Sequence, residues 1–224
     1  RLLSHIDDQE KNMEVERLLE EFRTYLQSLL SPCKKVSRDQ ARDILGTDFY
    51  DQPGVRELLG IPDEGKKVPE EYKIPYSEPT LYRARGDHVL IENIPLSTNE
   101  LYRMNRKLYS VGRSGNKAWF EDKTFANDPI ASTAMLINTR TAGILKENSE
   151  IDSNKQPFDQ PYRFAHPAEL FLAHAVSTLR NGKSALSENR LFRLPFLKGV
   201  GHHGLAEVNS KGKLWLAYNE DDES

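Results

Sequence analysis

The chain has 224 residues, of which 38% are hydrophobic and 29% are charged, and its formal net charge is −3. This composition is too apolar for a disordered chain, and the net charge excludes the strongly basic surface of a dedicated nucleic-acid binder. The single cysteine, Cys33, excludes an intrachain disulfide and a multi-cysteine zinc site, and no apolar run reaches the ~20 residues that span a bilayer.

Residues 1–60 are predicted to form an N-terminal helical segment. Within it, apolar residues recur at three- and four-residue steps over residues 10–31, which predicts one long amphipathic helix that Pro32 ends. The apolar face of this helix must be buried against another surface. We therefore expect the helix either to pack back on the body or to bind a protein partner or a second copy of the chain.

Two short helices are predicted after the long one. Ser37 and Gln40 have the spacing of a capping box and open a helix that closes at Gly46. Pro53 suits the first turn of the next helix, which stops at Gly60. Together with the long helix, they complete the helical segment.

Residues 61–80 are predicted to be an extended, proline-rich connector. They contain four prolines and one glycine among charged residues, and proline both fixes φ and prevents a helix from continuing. The last five residues, 220–224, carry four acids and no base, and we predict a disordered acidic tail there.

Residues 81–219 are predicted to be an α+β body. Apolar or alternating segments predict strands at residues 87–94, 107–112, 117–122, 132–140, 191–197, 202–208 and 213–218. The second and third segments flank a turn and predict a hairpin. The predicted fold is therefore α+β, with a mostly antiparallel sheet covered by two or more helices.

Two helices are predicted to cover this sheet. Ser97 and Glu100 form a second capping box, and Pro167 opens a longer helix that Gly182 ends. The core-facing side of the longer helix is predicted to consist of Leu170, Phe171, Ala173, Ala175, Val176 and Leu179.

Three glycines near the C-terminus have the spacing G-x-G-x-x-G, at Gly199, Gly201 and Gly204. A dinucleotide site needs a helix that begins on these glycines, because the helix N-terminus holds the pyrophosphate. Residues 205–218 instead contain a turn and a strand pattern. We therefore interpret the glycines as a bend between β segments and predict no bound cofactor.

The histidines offer one candidate metal site. His203 and Glu207 share a face of a predicted strand, whereas the adjacent His202 points to the opposite face. His166 and His174 lie eight residues apart on or beside a helix, about 12 Å along its axis, so only one of them could join the pair. A metal site at His203 and Glu207 needs such a third ligand.

Glu121 and Lys123 form the acid-x-lysine half of a motif found in metal-dependent nucleases with a restriction-endonuclease-like core. In that chemistry a second acid on a neighbouring strand shares the metal, and the lysine stabilises charge on the phosphate. Asp87, at the start of a predicted strand, is the candidate second acid. The resemblance covers these three residues only.

Residues 36–60 resemble a helix-turn-helix or winged-helix DNA-binding module, since a capped short helix precedes a turn and a second helix. The second helix should present side chains to bases or phosphates. It offers Arg56 beside Glu57, in a segment of net negative charge. Nucleic-acid binding is therefore an alternative and not the favoured function.

The leading hypothesis is a non-enzymatic binding or assembly module. No motif supplies a nucleophile with its base, a phosphate-binding loop or a complete set of metal ligands. Residues 81–219 carry 19 Lys and Arg against 13 Asp and Glu, so this part could accept a weakly anionic partner. Basic residues at 103, 106, 107, 113 and 117 would form one patch if the helix and hairpin share a face.

Two expectations concern location and extent. The lone cysteine fits a reducing compartment, and with no membrane span in the sequence we expect a cytoplasmic protein. Because the chain opens with Arg1 and not with Met, we expect further residues upstream.

Overall fold

The computed structural model describes residues 35–62, 73–114, 117–147, 149, 151, 161–197, 200 and 202–218. The helix predicted over residues 10–31, Cys33 and the tail at 220–224 lie outside these residues. The chain divides into two units between Lys34 and Lys35, and every described residue belongs to the second unit. The helices predicted within residues 36–60 therefore belong with the α+β body and not with a separate N-terminal segment.

Five α-helices occur among the described residues. They are α1 (Arg38–Leu45), α2 (Gln52–Leu59), α3 (Glu78–Ala84), α4 (Thr98–Met104) and α5 (Pro167–Asn181). Both predicted capping boxes are confirmed: the side chains of Ser37 and Ser97 accept a backbone N–H three residues on, and the third-residue side chain accepts the N–H of the cap. Gly60 and Gly182 end their helices in the left-handed conformation, as predicted.

The strands form two main sheets. Strands β1 to β6 are Lys35–Val36, Phe49–Tyr50, Ile74–Ser77, His88–Glu92, Tyr109–Val111 and Arg113–Ser114. Strands β7 to β13 are Lys117–Ala118, Ala134–Asn138, Gly143–Leu145, Tyr162–Phe164, Leu191–Phe196, His203–Val208 and Leu214–Tyr218. The larger sheet has the order β10-β9-β8-β4-β2 and the smaller one β11-β12-β13-β5, with β1-β3 and β6-β7 as separate pairs.

The α+β class is confirmed, with seven antiparallel and two parallel pairings among the described strands. The sequence suggested one sheet, and the structure has two main sheets. The predicted hairpin is shorter than expected and consists of β6 and β7. Strand β5, within residues 107–112, pairs instead in parallel with the C-terminal strand β13.

Helix α5 belongs to a core that it shares with residues of both main sheets. Its residues 167–177 are all buried, which is the pattern of a helix that is covered on every side. The core around it combines Val89 and Met135 of the five-stranded sheet with Phe192 and Leu216 of the four-stranded sheet. Leu179, predicted to face the core, is 39% exposed, because the last turn of α5 emerges from the core.

A second core covers the opposite face of the five-stranded sheet and includes the end of the predicted connector, whose residues 63–72 lie outside the described residues. Residues 74–77 form strand β3, in which Ile74 and Tyr76 are fully buried, and residues 78–84 form α3. The Tyr76 hydroxyl donates to the Leu145 carbonyl at 2.9 Å and accepts the Leu136 N–H at 3.1 Å. The prolines are tolerated because Pro75 lies in a two-stranded pair and Pro79 in the first turn of α3.

Strand β2 explains why residues 36–60 are part of the body. It follows α1 and pairs in parallel with β4, where Phe49 lies opposite Leu90 and Tyr50 opposite Ile91. All four side chains are buried, so the segment between α1 and α2 is one edge of the five-stranded sheet. Because β2 is only two residues long, its burial could not be inferred from the sequence.

Candidate functional site

The glycine-rich segment continues as a strand. Gly199 and Gly201 lie outside the described residues, whereas Gly204 belongs to β12, where the dinucleotide motif would need a helix. A Cβ atom on residue 204 would lie 2.9 Å from side-chain atoms of both Leu194 and Leu197. Gly204 therefore permits close packing of β12 against β11 and its loop.

The histidines of the candidate metal site are engaged locally. His203 and Glu207 share a half-buried face of β12, and the His203 Nδ1 lies 3.3 Å from the Leu194 carbonyl oxygen. Within the part of the chain that the structure describes, no three His, Cys, Asp or Glu side chains converge to hold a metal. His166 caps α5, and His174 is buried between the Ser184 hydroxyl and the Leu108 carbonyl.

The three residues of the nuclease hypothesis, Asp87, Glu121 and Lys123, lie in separate local environments. Glu121 and Lys123 lie in a turn after β7 and not on a strand, and the Glu121 carboxylate accepts the Ala118 N–H at 2.7 Å. Asp87 pairs with Arg140 at 2.9 Å, just before the first residue of β4.

Helix α4, which follows β4, fixes the position of the Glu121 turn. Its Asn99 donates to the backbone oxygen of Glu121 at 2.9 Å. Asp87 and Glu121 are therefore associated with opposite ends of β4, a five-residue strand about 17 Å long. A shared ion needs the two carboxylates side by side, and these separate contacts give it no support.

Arg56 lies on α2, the second helix of residues 36–60. Strand β2 separates α1 from α2 and ties both to the five-stranded sheet, unlike the short turn of a helix-turn-helix unit. Helix α2 buries Val55 and Leu59 and packs against α5. The Arg56 side chain donates to the Pro62 carbonyl oxygen at 3.3 Å, beyond the end of its own helix.

A groove of about 470 Å³ is one of the concave surfaces of the described residues. It is lined by the turn at residues 140–143, strand β10 and residues 190–193 at the start of β11. We call it the arginine groove, because its lining contains Arg140, Arg163, Arg190 and Arg193 and no described acidic residue. Its volume falls in the range of small-ligand and peptide sites, about 300–1,000 Å³.

Asn138 holds Arg140 in the groove wall. Its side-chain oxygen accepts the backbone N–H of Arg140 and of Thr141, both at 3.0 Å, and so builds the turn that ends β8. The Arg140 guanidinium pairs with Asp87, yet its side chain is 67% exposed. The Arg140 carbonyl oxygen accepts a hydrogen bond from Arg190 at 3.0 Å, which joins two walls of the groove.

Arg163 is the rigid member of the set. Its two terminal nitrogens donate to the Glu169 carboxylate at 2.7 and 2.5 Å, and that carboxylate is buried at the N-terminus of α5. The hydrogen bonds to Glu169 raise the pKa of the Arg163 guanidinium, so it stays charged. The Ser132 hydroxyl donates to the same carboxylate at 3.2 Å and fixes its orientation.

Arg190 and Arg193 supply the uncompensated charge. Both side chains are exposed, and neither makes an ion pair with another described residue. Among the described residues, two of the four guanidinium groups thus have carboxylate partners and two have none. This arrangement suits an anionic ligand, which guanidinium groups bind in a bidentate geometry.

Apolar side chains border the arginines. Phe164 on β10 is 55% exposed and Leu191 on β11 is 57% exposed. Tyr162 is half-buried, and its hydroxyl lies 2.6 Å from Nε2 of His88, whose pKa burial lowers to about 4. Exposed aromatic and apolar residues beside arginines are characteristic of the central part of binding interfaces.

A smaller cavity of about 290 Å³ is lined by polar groups that have structural roles. The buried Glu92 carboxylate accepts Arg38 Nε at 2.6 Å and the backbone N–H of Gln52 at 2.8 Å, and so caps α2. Asn93 donates to the Ser132 hydroxyl at 2.8 Å. These contacts join α1, α2, β4 and the segment before β8, and they explain the buried acid as a structural residue.

Comparison with known proteins identifies no relative: the chain matches no protein-family model, no curated protein and no solved structure. None of the helices in the described part of the chain is long and apolar enough to cross a membrane. The function is therefore inferred from the arginine groove itself.

The sequence contained one signal for this groove, the excess of six positive charges in residues 81–219. The convergence of the arginines could not be predicted, because they are spread over 54 positions of the chain. Their proximity depends on the neighbouring positions of β10 and β11.

Proposed function

We propose that the protein is a non-enzymatic binding module whose arginine groove takes up an anionic partner. The observation that carries the proposal is the convergence of four arginines in a concave surface whose described lining contains no acid. Two of these arginines are exposed and have no ion-pair partner among the described residues. Such charges gain most from a ligand that brings carboxylate or phosphate groups.

The surroundings of the arginines support binding by a macromolecule and not by a free ion alone. Phe164 and Leu191 add apolar surface beside the charges, and both are more than half exposed. Burial of these side chains by a partner would contribute about 25 cal/mol per Å² of apolar surface removed from water. Charge then provides orientation and rate of encounter, while the apolar contacts add affinity.

The two alternative functions have less support. The hydrolase hypothesis needs Asp87, Glu121 and Lys123 around one metal, and these residues take part in separate contacts. The DNA-binding hypothesis needs several basic side chains on the second helix of residues 36–60, whereas α2 carries Arg56 beside Glu57 and Arg56 donates to the Pro62 carbonyl oxygen.

The proposal predicts that reversal of the two unpaired charges abolishes anion binding. The double variant Arg190→Glu, Arg193→Glu should weaken binding of a fluorescein-labelled oligo-glutamate probe by about tenfold or more, because four units of charge are removed from the groove. Fluorescence anisotropy at low salt measures the affinity. Binding should also weaken as salt is added, since the charges are exposed.

The matched control is the variant Arg103→Glu, Lys107→Glu, which makes the same change in net charge. Both residues are exposed, lie on or just after α4, and do not line the groove. The control should bind nearly as tightly as the native protein. Equal losses in both variants, or no binding of the probe to the native protein, would contradict a function located in the arginine groove.

A further inference from the structure

We infer that the partner of the arginine groove is an acidic peptide that binds in an extended conformation along strand β11. This inference rests on the proposed function and specifies the class of its ligand. It is carried by three features of the groove: the edge position of its strands, the spacing of the exposed side chains on β11, and the distribution of charge.

The groove is bordered by edge strands of both main sheets. Strand β10 ends the five-stranded sheet and β11 ends the four-stranded sheet, and each has one strand neighbour among the described residues. The two strands approach each other without pairing. An edge strand presents backbone N–H and C=O groups that an added extended chain can pair with.

The exposed side chains of β11 repeat with the period of an extended peptide. Leu191 and Arg193 lie on the exposed face, and Phe192 and Leu194 between and after them are buried. Residues two apart on a strand are separated by about 6.8 Å, and the same distance separates alternate side chains of a bound extended peptide. A peptide with an apolar residue and an acidic residue two positions apart would therefore match Leu191 and Arg193.

The edge of β11 limits the length of this pairing. The register with β12 shifts between Arg193 and Phe196, and Pro195 in this interval has no N–H to donate. The residues available for regular pairing are thus Leu191 to Leu194. We expect the peptide to pair over about four residues and to gain the rest of its affinity from the arginines.

The charge around these strands favours an acidic peptide over a neutral one. Arg190 and Arg193 are exposed at the start of β11, and Arg140 faces them from the neighbouring turn. A nucleic acid would satisfy the same charges, but it binds single strands by stacking bases on exposed ring faces. Among the aromatic side chains of the groove, Tyr162 is stacked on His88, Phe192 is buried and Phe164 is exposed, so a single strand would find one exposed ring beside two strand edges. The edges favour the peptide, because an extended chain can pair with their backbone.

The experiment compares two labelled peptides of identical composition by fluorescence anisotropy. The first repeats the order Leu-Thr-Glu-Thr, which places Leu and Glu on one face of an extended chain. The second repeats Leu-Glu-Thr-Thr, which places them on opposite faces. We expect the first to bind about fivefold or more tightly, and we expect N-methylation of its backbone to remove this advantage because the edge pairing is lost.

Variants of the protein locate the peptide. Leu191→Ser should weaken binding of the first peptide, whereas Met104→Ser, at another exposed apolar side chain, should not. Arg193→Glu should reject the acidic peptide and accept the matching peptide in which Lys replaces Glu. This exchange of charge tests direct contact between residue 193 and the peptide, because a merely destabilised variant would bind neither peptide.

The outcomes separate this inference from the proposed function. Equal binding of the two isomers, no effect of N-methylation, or tighter binding of a single-stranded oligonucleotide of equal charge would overturn the extended peptide and leave an anion-binding groove. Failure of every anionic probe to bind would overturn the proposed function itself. Retention of the peptide by Arg193→Glu would show that the peptide binds elsewhere.

Discussion

At the scale of single residues, the role of a side chain depends on how its neighbours pack, and Gly204 is an example. Gly204 was interpreted from the sequence as part of a bend, and the structure places it within the regular strand β12. Its role is close packing, since Leu194 and Leu197 occupy the space next to its Cα atom. The absent side chain is therefore what lets the loop after β11 fold back on the strand.

A methyl group at this position should destabilise the protein. Gly204→Ala places a Cβ atom 2.9 Å from two leucine side chains, and such overpacking costs about 1–3 kcal/mol of unfolding free energy. Urea denaturation monitored by circular dichroism measures the change. The control is Gly112→Ala, where the nearest atom to an added Cβ is 3.7 Å away on Trp119, and we expect little or no loss. Equal stabilities of the two variants would contradict the packing role of Gly204.

At the scale of elements, helix α5 organises the molecule. It is buried over residues 167–177, and it carries a histidine, His174, whose two ring nitrogens each lie 3.0 Å from a polar partner. Burial lowers the pKa of His174 to about 4, with the hydrogen bond to the Leu108 carbonyl opposing the shift. The neutral ring fits these partners, because one nitrogen donates to Leu108 and the other accepts from Ser184.

His174 should make stability depend on pH between its two pKa values. The unfolded chain takes up a proton near the ordinary pKa of 6.5, and the folded chain resists it until about pH 4. The unfolded state therefore binds more protons in this window, and stability falls as pH decreases from 6.5 towards 4, by at most about 3 kcal/mol for this group. His88, with a similar shift, acts in the same direction.

The variant His174→Gln isolates this contribution. We expect its unfolding free energy, measured with urea at pH 7 and at pH 4.5, to fall less between the two pH values than that of the native protein. Because each protein is compared with itself at the two pH values, a general loss of unfolding free energy caused by the substitution cancels. An identical pH dependence in both proteins would contradict a buried neutral His174.

The elements that could be predicted are those defined by local interactions. The capping boxes at Ser37 and Ser97 and the helix stop at Gly182 follow from neighbouring residues, and they were predicted correctly. Strand β3 was missed because its prolines indicated a connector, although a two-stranded edge tolerates them. Its burial depends on Tyr76 reaching Leu136 and Leu145, which are distant in sequence.

At the scale of the whole molecule, the sequence predicted an excess of positive charge but not the positions of the charged side chains in the fold. The positive excess of residues 81–219 follows from composition alone. The arginine groove depends on the pairing of β9 with β10 and on the approach of β10 to β11, which bring Arg140, Arg163, Arg190 and Arg193 to one surface. Neither the pairing of β9 with β10 nor the approach of β10 to β11 produces a periodic pattern in the sequence. The arginine groove could therefore be identified only from the tertiary structure.

The most direct test of this account is the mapping of backbone amide shifts by NMR during titration with the Leu-Thr-Glu-Thr peptide. We expect saturable shifts concentrated at residues 140–143, 162–164 and 190–193, with residues 103–107 unaffected. Shifts that instead concentrate at residues 103–107, or that are small and uniform without saturation, would contradict an anion-binding role for the arginine groove.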